Sequence, residues 1–327
     1  MRKKLFAGID IGATNIKYGL VDNEGKVRYK AKTITPDSNP PAKLFEQVVF
    51  CGEQLLIMAD EEDGDVDFIG VGSPGTVNIK TGIVEGTCPN LPGWVGFHLR
   101  DLLQERLNLP VFIDNDANCA TLAECRYGSG VGYKDIICLT VGTGIGGTII
   151  LNGRLHRGVS FAAGEIGHMK VAVKDTEALT YDFLEHQVSS KAIISAIAKN
   201  LENDITPAFQ SQIGDNPERL TIRRIFTAIK RGDKMALRVI EDTARLLGMA
   251  LVSLVNVLNP ELIILGGGVA EGGGDFVRVV KETVMKESLP PAVESLRILP
   301  AQMGNNAGFI GAAFLGDASD TKSSEAE

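Results

Sequence analysis

The sequence predicts an α/β protein built from two similar halves, and three observations carry that expectation. Short apolar runs that read as buried strands alternate with helical stretches along most of the chain. Two strand–turn–strand units echo one another: Gly8-Ile9-Asp10-Ile11-Gly12-Ala13-Thr14 aligns with Cys138-Leu139-Thr140-Val141-Gly142-Thr143-Gly144, and each continues into a further apolar strand. A short apolar run at 109–113 then ends in Asp114-Asn115-Asp116-Ala117-Asn118. That places carboxylates where a strand meets a helix, the end at which open α/β sheets bind ligands.

In order, residues 5–9 read as a strand, 10–14 as a turn and 16–21 as the returning strand. The hairpin Asp22-Asn23-Glu24-Gly25 leads to a third strand at 27–33. After Pro40-Pro41 an amphipathic helix covers 43–58 and dissolves into an acidic loop at 60–65. A strand at 68–71 opens on Gly72-Ser73-Pro74-Gly75-Thr76, and a Gly/Pro-rich section runs to Pro92-Gly93-Trp94. A helix at 98–108, the strand at 109–113 and a helix at 119–127 follow, with Asn118 as a good N-cap. Strands at 136–141 and 148–151 flank Gly142-Thr143-Gly144-Ile145-Gly146-Gly147. Next come a helix at 189–201, a polar stretch at 202–217 read as a surface loop, and a long apolar helix at 236–258 broken by Asn259-Pro260. A strand at 261–265 enters Gly266-Gly267-Gly268; a helix at 276–286, a strand at 296–299 and a small-residue helix at 306–315 precede a polar tail expected to be disordered.

The 327 residues suffice for two domains or one large α/β unit, and 44% hydrophobic content supports a substantial core. A net charge of -8 without a basic block argues against nucleic acid or an anionic membrane as partner. Five scattered cysteines without CxxC spacing read as buried free thiols in a reducing cytoplasm. The start Met1-Arg2-Lys3-Lys4 imitates a signal peptide, but Asp10 interrupts the apolar stretch too early. No run approaches the ~18 apolar residues of a membrane helix.

The acidic cluster admits two readings, a helix cap and a base facing a hydroxyl. Its Asp114, Asp116, Asn118 spacing starts like a calcium loop, but Cys119 and Cys125 stand where an EF-hand needs Gly and a bidentate Glu. Three glycine turns end strands: Gly12-Ala13-Thr14, Gly142-Thr143-Gly144 and Gly266-Gly267-Gly268. Glycine lets backbone N–H groups approach phosphate oxygens, and threonine adds a hydroxyl. Asp10 beside the first turn would repel phosphates unless a cation such as Mg²⁺ sat there, directly or through water. The stretch 142–147 satisfies GxGxxG, yet that fingerprint must open a helix and here it opens a strand. No GxxxxGKS P-loop is present. Gly164-Glu165-Ile166-Gly167-His168 sets an acid and an imidazole three apart, once only, whereas a di-iron bundle needs that motif twice.

Taken in order along nearly the whole chain, these motifs resemble the ROK (repressor, open reading frame, kinase) family of bacterial sugar kinases, its glucokinase-like members in particular. Asp10-Ile11-Gly12-Ala13-Thr14 resembles the first phosphate motif, with Ala13 where Gly is usual. Gly72-Ser73-Pro74-Gly75-Thr76-Val77 and Pro89-Asn90-Leu91-Pro92-Gly93-Trp94 resemble sugar-side loops. Asn115-Asp116-Ala117-Asn118 resembles the catalytic segment, 142–147 the second phosphate loop, Glu165-Ile166-Gly167-His168 the sugar-binding motif, and Gly266-Gly267-Gly268-Val269 the adenosine-side turn.

The resemblance implies a two-domain actin-like ATPase (ribonuclease H-like) fold closing on a cleft. The N-terminal domain would be 1–117 with a helix at 305–317 returning to it, and the C-terminal domain 118–304, leaving 318–327 as the tail. It implies ATP and Mg²⁺ as cofactors and a homodimer. Asp116 would be the base for a sugar 6-hydroxyl. Gly75, Thr76, Asn90, Asn115, Glu165, His168 and Glu185 would bind the sugar. Asp10, Gly12, Thr14, Asn15, Lys17, Gly142, Thr143, Gly144, Gly267 and Gly268 would serve ATP, with Asp10 on the metal.

One departure stands out. Family members usually carry Cys-x-Cys-Gly-x-x-Gly-Cys-x-Glu after the motif His, and the three cysteines and that His hold a structural Zn²⁺. Residues 174–184 contain no cysteine, and only the closing Glu185 remains, so zinc is expected to be absent. Some other group must then orient His168, with Asp175, Glu177 and Tyr181 as candidates. The leading expectation is an ATP-dependent glucokinase; an N-acetylmannosamine, N-acetylglucosamine or fructose kinase is the alternative within the class. A non-catalytic sugar-binding protein is the rival from another class. A repressor would need a DNA-binding helix-turn-helix before a first strand that here begins by Leu5.

Overall fold

A computed structural model describes residues 2–86, 88, 91–174, 179–202, 205–214 and 216–317. The chain divides into two units: Met1–Gly132 with Leu151–Ala163 and Gln302–Glu327, and Tyr133–Ile150 with Gly164–Ala301.

The first unit holds strands β1 (Lys3–Ile11), β2 (Asn15–Val21), β3 (Val27–Ile34) and β4 (Gly64–Ser73), the hairpin β5 (Thr76–Asn78) and β6 (Ile83–Glu85), then β7 (Val111–Asn115) and the short β10 (Arg154–Leu155). Its helices are α1 (Ala42–Glu61), α2 (Leu99–Leu107), α3 (Asp116–Tyr127) and α12 (Ala307–Ala312). The main sheet runs β3-β2-β1-β4-β7, antiparallel from β3 to β1 and parallel through β1, β4 and β7. Side chains alternate across a strand, so β1 sends Leu5, Ala7, Ile9 and Ile11 into one core with α1 and α2. Phe6 enters the opposite core with Phe309 and Phe314. On that second face α12 lies against the sheet at backbone distance. A Cβ on Gly8 would stand 1.9 Å from the Phe309 carbonyl oxygen, and one on Gly70 1.7 Å from that of Ala312.

The second unit holds β8 (Ile136–Val141), β9 (Ile145–Leu151), β11 (Lys170–Lys174), β12 (Leu179–Phe183), β13 (Leu262–Gly266) and β14 (Arg297–Pro300). Its helices are α4 (Leu184–Val188), α5 (Ser190–Leu201), α6 (Pro207–Ile213), α7 (Ile222–Lys230), α8 (Lys234–Leu258), α9 (Gly267–Gly272), α10 (Gly274–Glu287) and α11 (Pro290–Val293). The order β9-β8-β13-β14, with β8 antiparallel to β9 and parallel to β13, repeats β2-β1-β4-β7 of the first unit. The internal echo in the sequence is therefore one of topology. Strand β11 pairs β12 in a separate ribbon.

Several elements differ from expectation. Helix α1 continues through Asp60 and Glu61, and β4 starts at Gly64, so the acidic loop shrinks to a turn. The polar stretch at 202–217 contains α6, because Phe209 and Ile213 are buried. Helix α3 begins at Asp116, not after an Asn118 cap. The division after Gly132 leaves α3 whole in the first unit, whereas a boundary after 117 would cut it. The physical reason is close packing: a Cβ on Gly311 of α12 would stand 1.6 Å from the Cys119 carbonyl oxygen of α3. Asn90 and 318–327 lie outside the described residues. Among the described residues no helix is long and apolar enough to cross a membrane.

Candidate active site

In the first unit the polar residues collect at the carboxyl ends of the parallel strands β1, β4 and β7. Asp10 of β1 is in register with Gly72 of β4, and Gly72 with Asp114 of β7. Asp10 also faces Lys17 across the β1–β2 hairpin, with Nζ 3.8 Å from Oδ2. Burial pushes the Asp10 carboxyl above its ordinary value, and Lys17 pulls it back only in part. The turn after it is closed by the Gly12 amide donating to the Asn15 carbonyl (3.1 Å) and pinned by Thr35, whose hydroxyl donates to the Gly12 carbonyl (2.6 Å). Thr14 is left exposed at its tip.

At β7 the sequence builds a helix start around one amide. Asn115 is the N-cap of α3: its Oδ1 accepts from the amides of Ala117 (2.9 Å) and Asn118 (3.2 Å). Its Nδ2 donates to the Gly75 carbonyl (3.1 Å), tying the expected sugar-side loop to the expected catalytic segment. Gly75 has φ +87°, and Thr76 behind it pairs with Glu85 in the β5–β6 ribbon. Asp116 is the first residue of α3, half-buried, its Oδ1 accepting from the Ala117 amide at 2.9 Å. The cluster therefore does cap the helix, through Asn115 and not Asn118, and it places the Asp116 carboxylate at the first position of α3.

Sequence reasoning missed what fixes this segment. Asp114 is buried, and its Oδ2 accepts from Arg157 Nε (2.9 Å) and Nη2 (2.6 Å). Its Oδ1 accepts from the Asn115 amide (2.7 Å) and Asn118 Nδ2 (2.9 Å). Arg157 stands 43 positions from Asp114, so no local pattern announces the pair.

In the second unit the glycine turn after β8 is closed by the Gly142 amide donating to the Gly144 carbonyl (2.9 Å), while the Ser190 amide donates to the Gly142 carbonyl (2.7 Å). Thr143 is exposed at the tip. The turn opens β9, which excludes the dinucleotide reading of GxGxxG. Beside it, at the end of the parallel neighbour β13, Gly267 has φ +85°, and a Cβ there would stand 2.5 Å from the Val141 carbonyl oxygen. Gly268 faces open space. Glu185, in the first turn of α4, lies against Gly144: a Cβ on that glycine would stand 2.9 Å from Glu185 Oε2.

Glu165 and His168 form a pair, with His168 Nδ1 3.2 Å from Glu165 Oε2. Phe183 meets the His168 ring edge-on, centroids 5.3 Å apart at 75°. Of the expected orienting groups, Asp175 and Glu177 lie outside the described residues and Tyr181 is 63% exposed; the described neighbours of the ring are Glu165 and Phe183. Hydrogen bonds from Gln187 and His186 hold the Asp182 carboxyl below its usual range.

The chemistry of these donors discriminates between metals. Asp10 is a nearly buried hard oxygen donor beside a phosphate-type turn, which suits Mg²⁺ held by one carboxylate, water and a nucleotide. Zinc does not fit, since the residues after His168 offer no thiolate.

Residues 6–318 match the ROK family. A glucokinase of Halalkalibacterium halodurans is 33% identical over 318 residues, covering 96% of each chain. The crystal structure of a ROK family glucokinase from Streptomyces griseus, in complex with glucose and AMPPNP, is similar with a TM-score of 0.78 at 30% identity, covering 95% of this chain and 98% of that one. A xylose repressor of Caldicellulosiruptor bescii is 29% identical over 93% of this chain and 76% of its own length. The repeated sheet, the glycine turns at strand ends and a family match spanning 6–318 agree, and the chain belongs to the ROK family, with its two-domain actin-like ATPase fold.

Proposed function

We propose that this protein is an ATP-dependent hexose kinase that transfers the γ-phosphate to the 6-hydroxyl of glucose, with Asp116 as the base. The placement of Asp116 carries the reading: a half-buried carboxylate at the first position of α3, at a strand's carboxyl end, on a segment locked by Asn115 and Asp114. The similar Streptomyces griseus glucokinase, crystallised with glucose and AMPPNP, supports the choice of substrates.

Phosphoryl transfer is mostly positioning and charge neutralisation, with attacking and leaving oxygens in line. A carboxylate whose ordinary pKa is ~4 is a weak base. Asp116 therefore orients the 6-hydroxyl and accepts its proton as the new P–O bond forms. Gly75, Thr76, Asn90, Glu165, His168 and Glu185 hold the other hydroxyls, while Asn115, its Oδ1 already engaged as a cap, offers its Nδ2 side. The turns bearing Gly12, Thr14 and Asn15, and Gly142, Thr143 and Gly144, hold the ATP phosphates through backbone N–H groups, with Lys17 as a nearby cation and Gly267 and Gly268 on the nucleoside side. Magnesium, when bound at Asp10, neutralises phosphate charge.

The test is an ADP-release assay with ATP, Mg²⁺ and glucose, mannose, fructose, N-acetylglucosamine or N-acetylmannosamine. Turnover with glucose dominating supports the reading, and preference for an N-acetyl sugar moves the specificity alone. Asp116→Asn should lower kcat by roughly 10²–10⁴-fold with glucose binding retained. Silence of the unaltered protein on all five sugars favours a sugar-responsive regulator, a class the similar xylose repressor represents.

A further inference from the structure

His168 sits in a small aromatic and charged assembly that the reaction scheme does not explain. Lys170 and Phe183 are directly paired across β11 and β12, and Lys170 Nζ stands 3.5 Å from the Phe183 ring centroid. Phe183 presents itself edge-on to two imidazoles, His168 at 5.3 Å and 75° and His186 at 5.5 Å and 88°. The second imidazole is tethered in turn, His186 Nδ1 lying 2.9 Å from Asp182 Oδ1. Asp182 also accepts from Gln187 Nε2 (2.8 Å) and from the Phe183 amide (2.7 Å). The Phe183 backbone and ring are thus held from several sides. His168 itself is half-exposed, and among the described residues its ring meets soft packing from Phe183 and one polar contact, Glu165 Oε2 at 3.2 Å from Nδ1.

An ionised carboxylate can only accept hydrogen bonds. Facing one, a neutral imidazole keeps its single proton on Nδ1, and Nε2 becomes a bare acceptor. A metal acts in the opposite sense, taking one ring nitrogen's lone pair and leaving the other nitrogen protonated, a donor.

We propose that Glu165 and Phe183 are the positioning residues that hold His168 in place of a metal, and that they set it to accept, through Nε2, a hydrogen bond donated by a sugar hydroxyl. The sugar half of this statement rests on the hexose-kinase reading; the state of the ring does not. Glu165 keeps its second oxygen for another hydroxyl, so the pair reads two neighbouring hydroxyls, one at each group. A sugar whose hydroxyl at the His168 position is replaced by a group unable to donate loses this contact.

The experiment is long-range proton–nitrogen NMR on the full chain labelled with nitrogen-15 histidine, His168→Gln assigning the ring, at a pH where the imidazole is neutral. The expected spectrum shows a protonated Nδ1 and a bare Nε2 for His168, without added metal. Glu165→Gln should give a mixture of the two tautomers, because an amide can face the ring with either its oxygen or its NH₂. In parallel, Phe183→Leu should raise the sugar KM by ~3–10-fold with kcat changed by less than about twofold, and Phe183→Tyr should restore it. A proton on Nε2 in the unaltered protein, an unchanged tautomer in Glu165→Gln, or stoichiometric zinc in the purified protein would each overturn the proposal. If the unaltered protein phosphorylates no sugar, the kinase reading fails while the NMR result still decides how the ring is held.

Discussion

Arg157 sets two donors, Nε at 2.9 Å and Nη2 at 2.6 Å, on a single oxygen of Asp114, a carboxylate whose side chain is 2% exposed. The other Asp114 oxygen holds one residue before Asp116 and one two positions after it, through the Asn115 amide and Asn118 Nδ2. The segment is therefore held by a buried carboxylate and its arginine partner.

Removing the guanidinium leaves the Asp114 charge buried with neutral donors only, a change that typically costs about 3–5 kcal/mol. Arg157→Met should lower the urea midpoint accordingly and reduce kcat far more than it raises KM for the sugar. The double variant Arg157→Met/Asp114→Asn removes the stranded charge and should regain part of the stability without regaining kcat. Equal recovery of both quantities would mean that Arg157 is a stability element alone.

Glu124 does comparable work at the other end of α3. Its Oε2 accepts from the Ser129 amide (3.0 Å) and its Oε1 from the amides of Gln302 (2.8 Å) and Met303 (2.7 Å), with the residue buried. Ser129 lies shortly before the chain leaves the first unit, and Gln302 is where it re-enters. One carboxylate thus fastens the first exit of the chain and its last re-entry. Glu124→Ala orphans three amides at about 1–3 kcal/mol each. Denaturation should show a loss of at least ~3 kcal/mol and faster hydrogen exchange at 128–130 and 302–303. Glu124→Gln, which keeps one acceptor oxygen, should fall between.

The legible parts of this molecule were those written in short windows. The echo of Asp10-Ile11-Gly12-Ala13-Thr14 in the stretch 140–144 announced a repeated β-turn-β unit, because period-two apolar runs around glycine need no distant partner to be recognised. The placement of Asp116 is legible for the same reason, between an apolar strand and a helix start. Its neighbours were read less well. Asn118 looked like the cap because it precedes the apolar helix face, but the cap is Asn115, whose Oδ1 reaches two amides, while Asn118 turns inward to Asp114. Arg157 and Glu124 were invisible because their partners lie 43 and as many as 179 positions away. The stretch that replaces the cysteines offers Asp175, Glu177 and Tyr181 as partners for His168, and the structure adds one inside the motif itself, Glu165, three positions before it.

The small-residue helix α12 makes a sharper demand on sequence. Gly311 has no room for a side chain, since a Cβ would stand 1.6 Å from the Cys119 carbonyl oxygen of α3. Ala normally favours a helix over Gly by about 1 kcal/mol. Here that gain is outweighed by forcing two backbones apart, and overpacking a filled core typically costs about 1–3 kcal/mol. Gly311→Ala should therefore lower stability by about 1–2 kcal/mol net, whereas Gly274→Ala, where a Cβ meets nothing within 4 Å, should not. Chemical denaturation of the two variants side by side gives the comparison, and a neutral Gly311→Ala would contradict the backbone-to-backbone packing of α12 on α3.

Asp10 carries a stability cost that the proposed metal role would account for. Burial raises its carboxyl above the ordinary 3.8, and Lys17, 3.8 Å away, lowers it by less. The folded protein then binds the Asp10 proton more tightly than the unfolded chain does. By linkage, stability falls as pH rises from 3.8 through the raised value, and above it the ionised group carries the full penalty. Below 3.8 the carboxyl is neutral in both states and the penalty vanishes. Asp10→Asn should accordingly melt higher than the unaltered protein at pH 7, with the gap closing on acidification, while sugar phosphorylation collapses. A cation bound at Asp10 offsets the same penalty, so Mg²⁺ with nucleotide should raise the melting temperature of the unaltered protein and leave the Asn variant nearly unmoved. A lower melting temperature for Asp10→Asn at pH 7 would mean that the attraction to Lys17 outweighs burial, and would remove the argument that this carboxylate is kept for a metal.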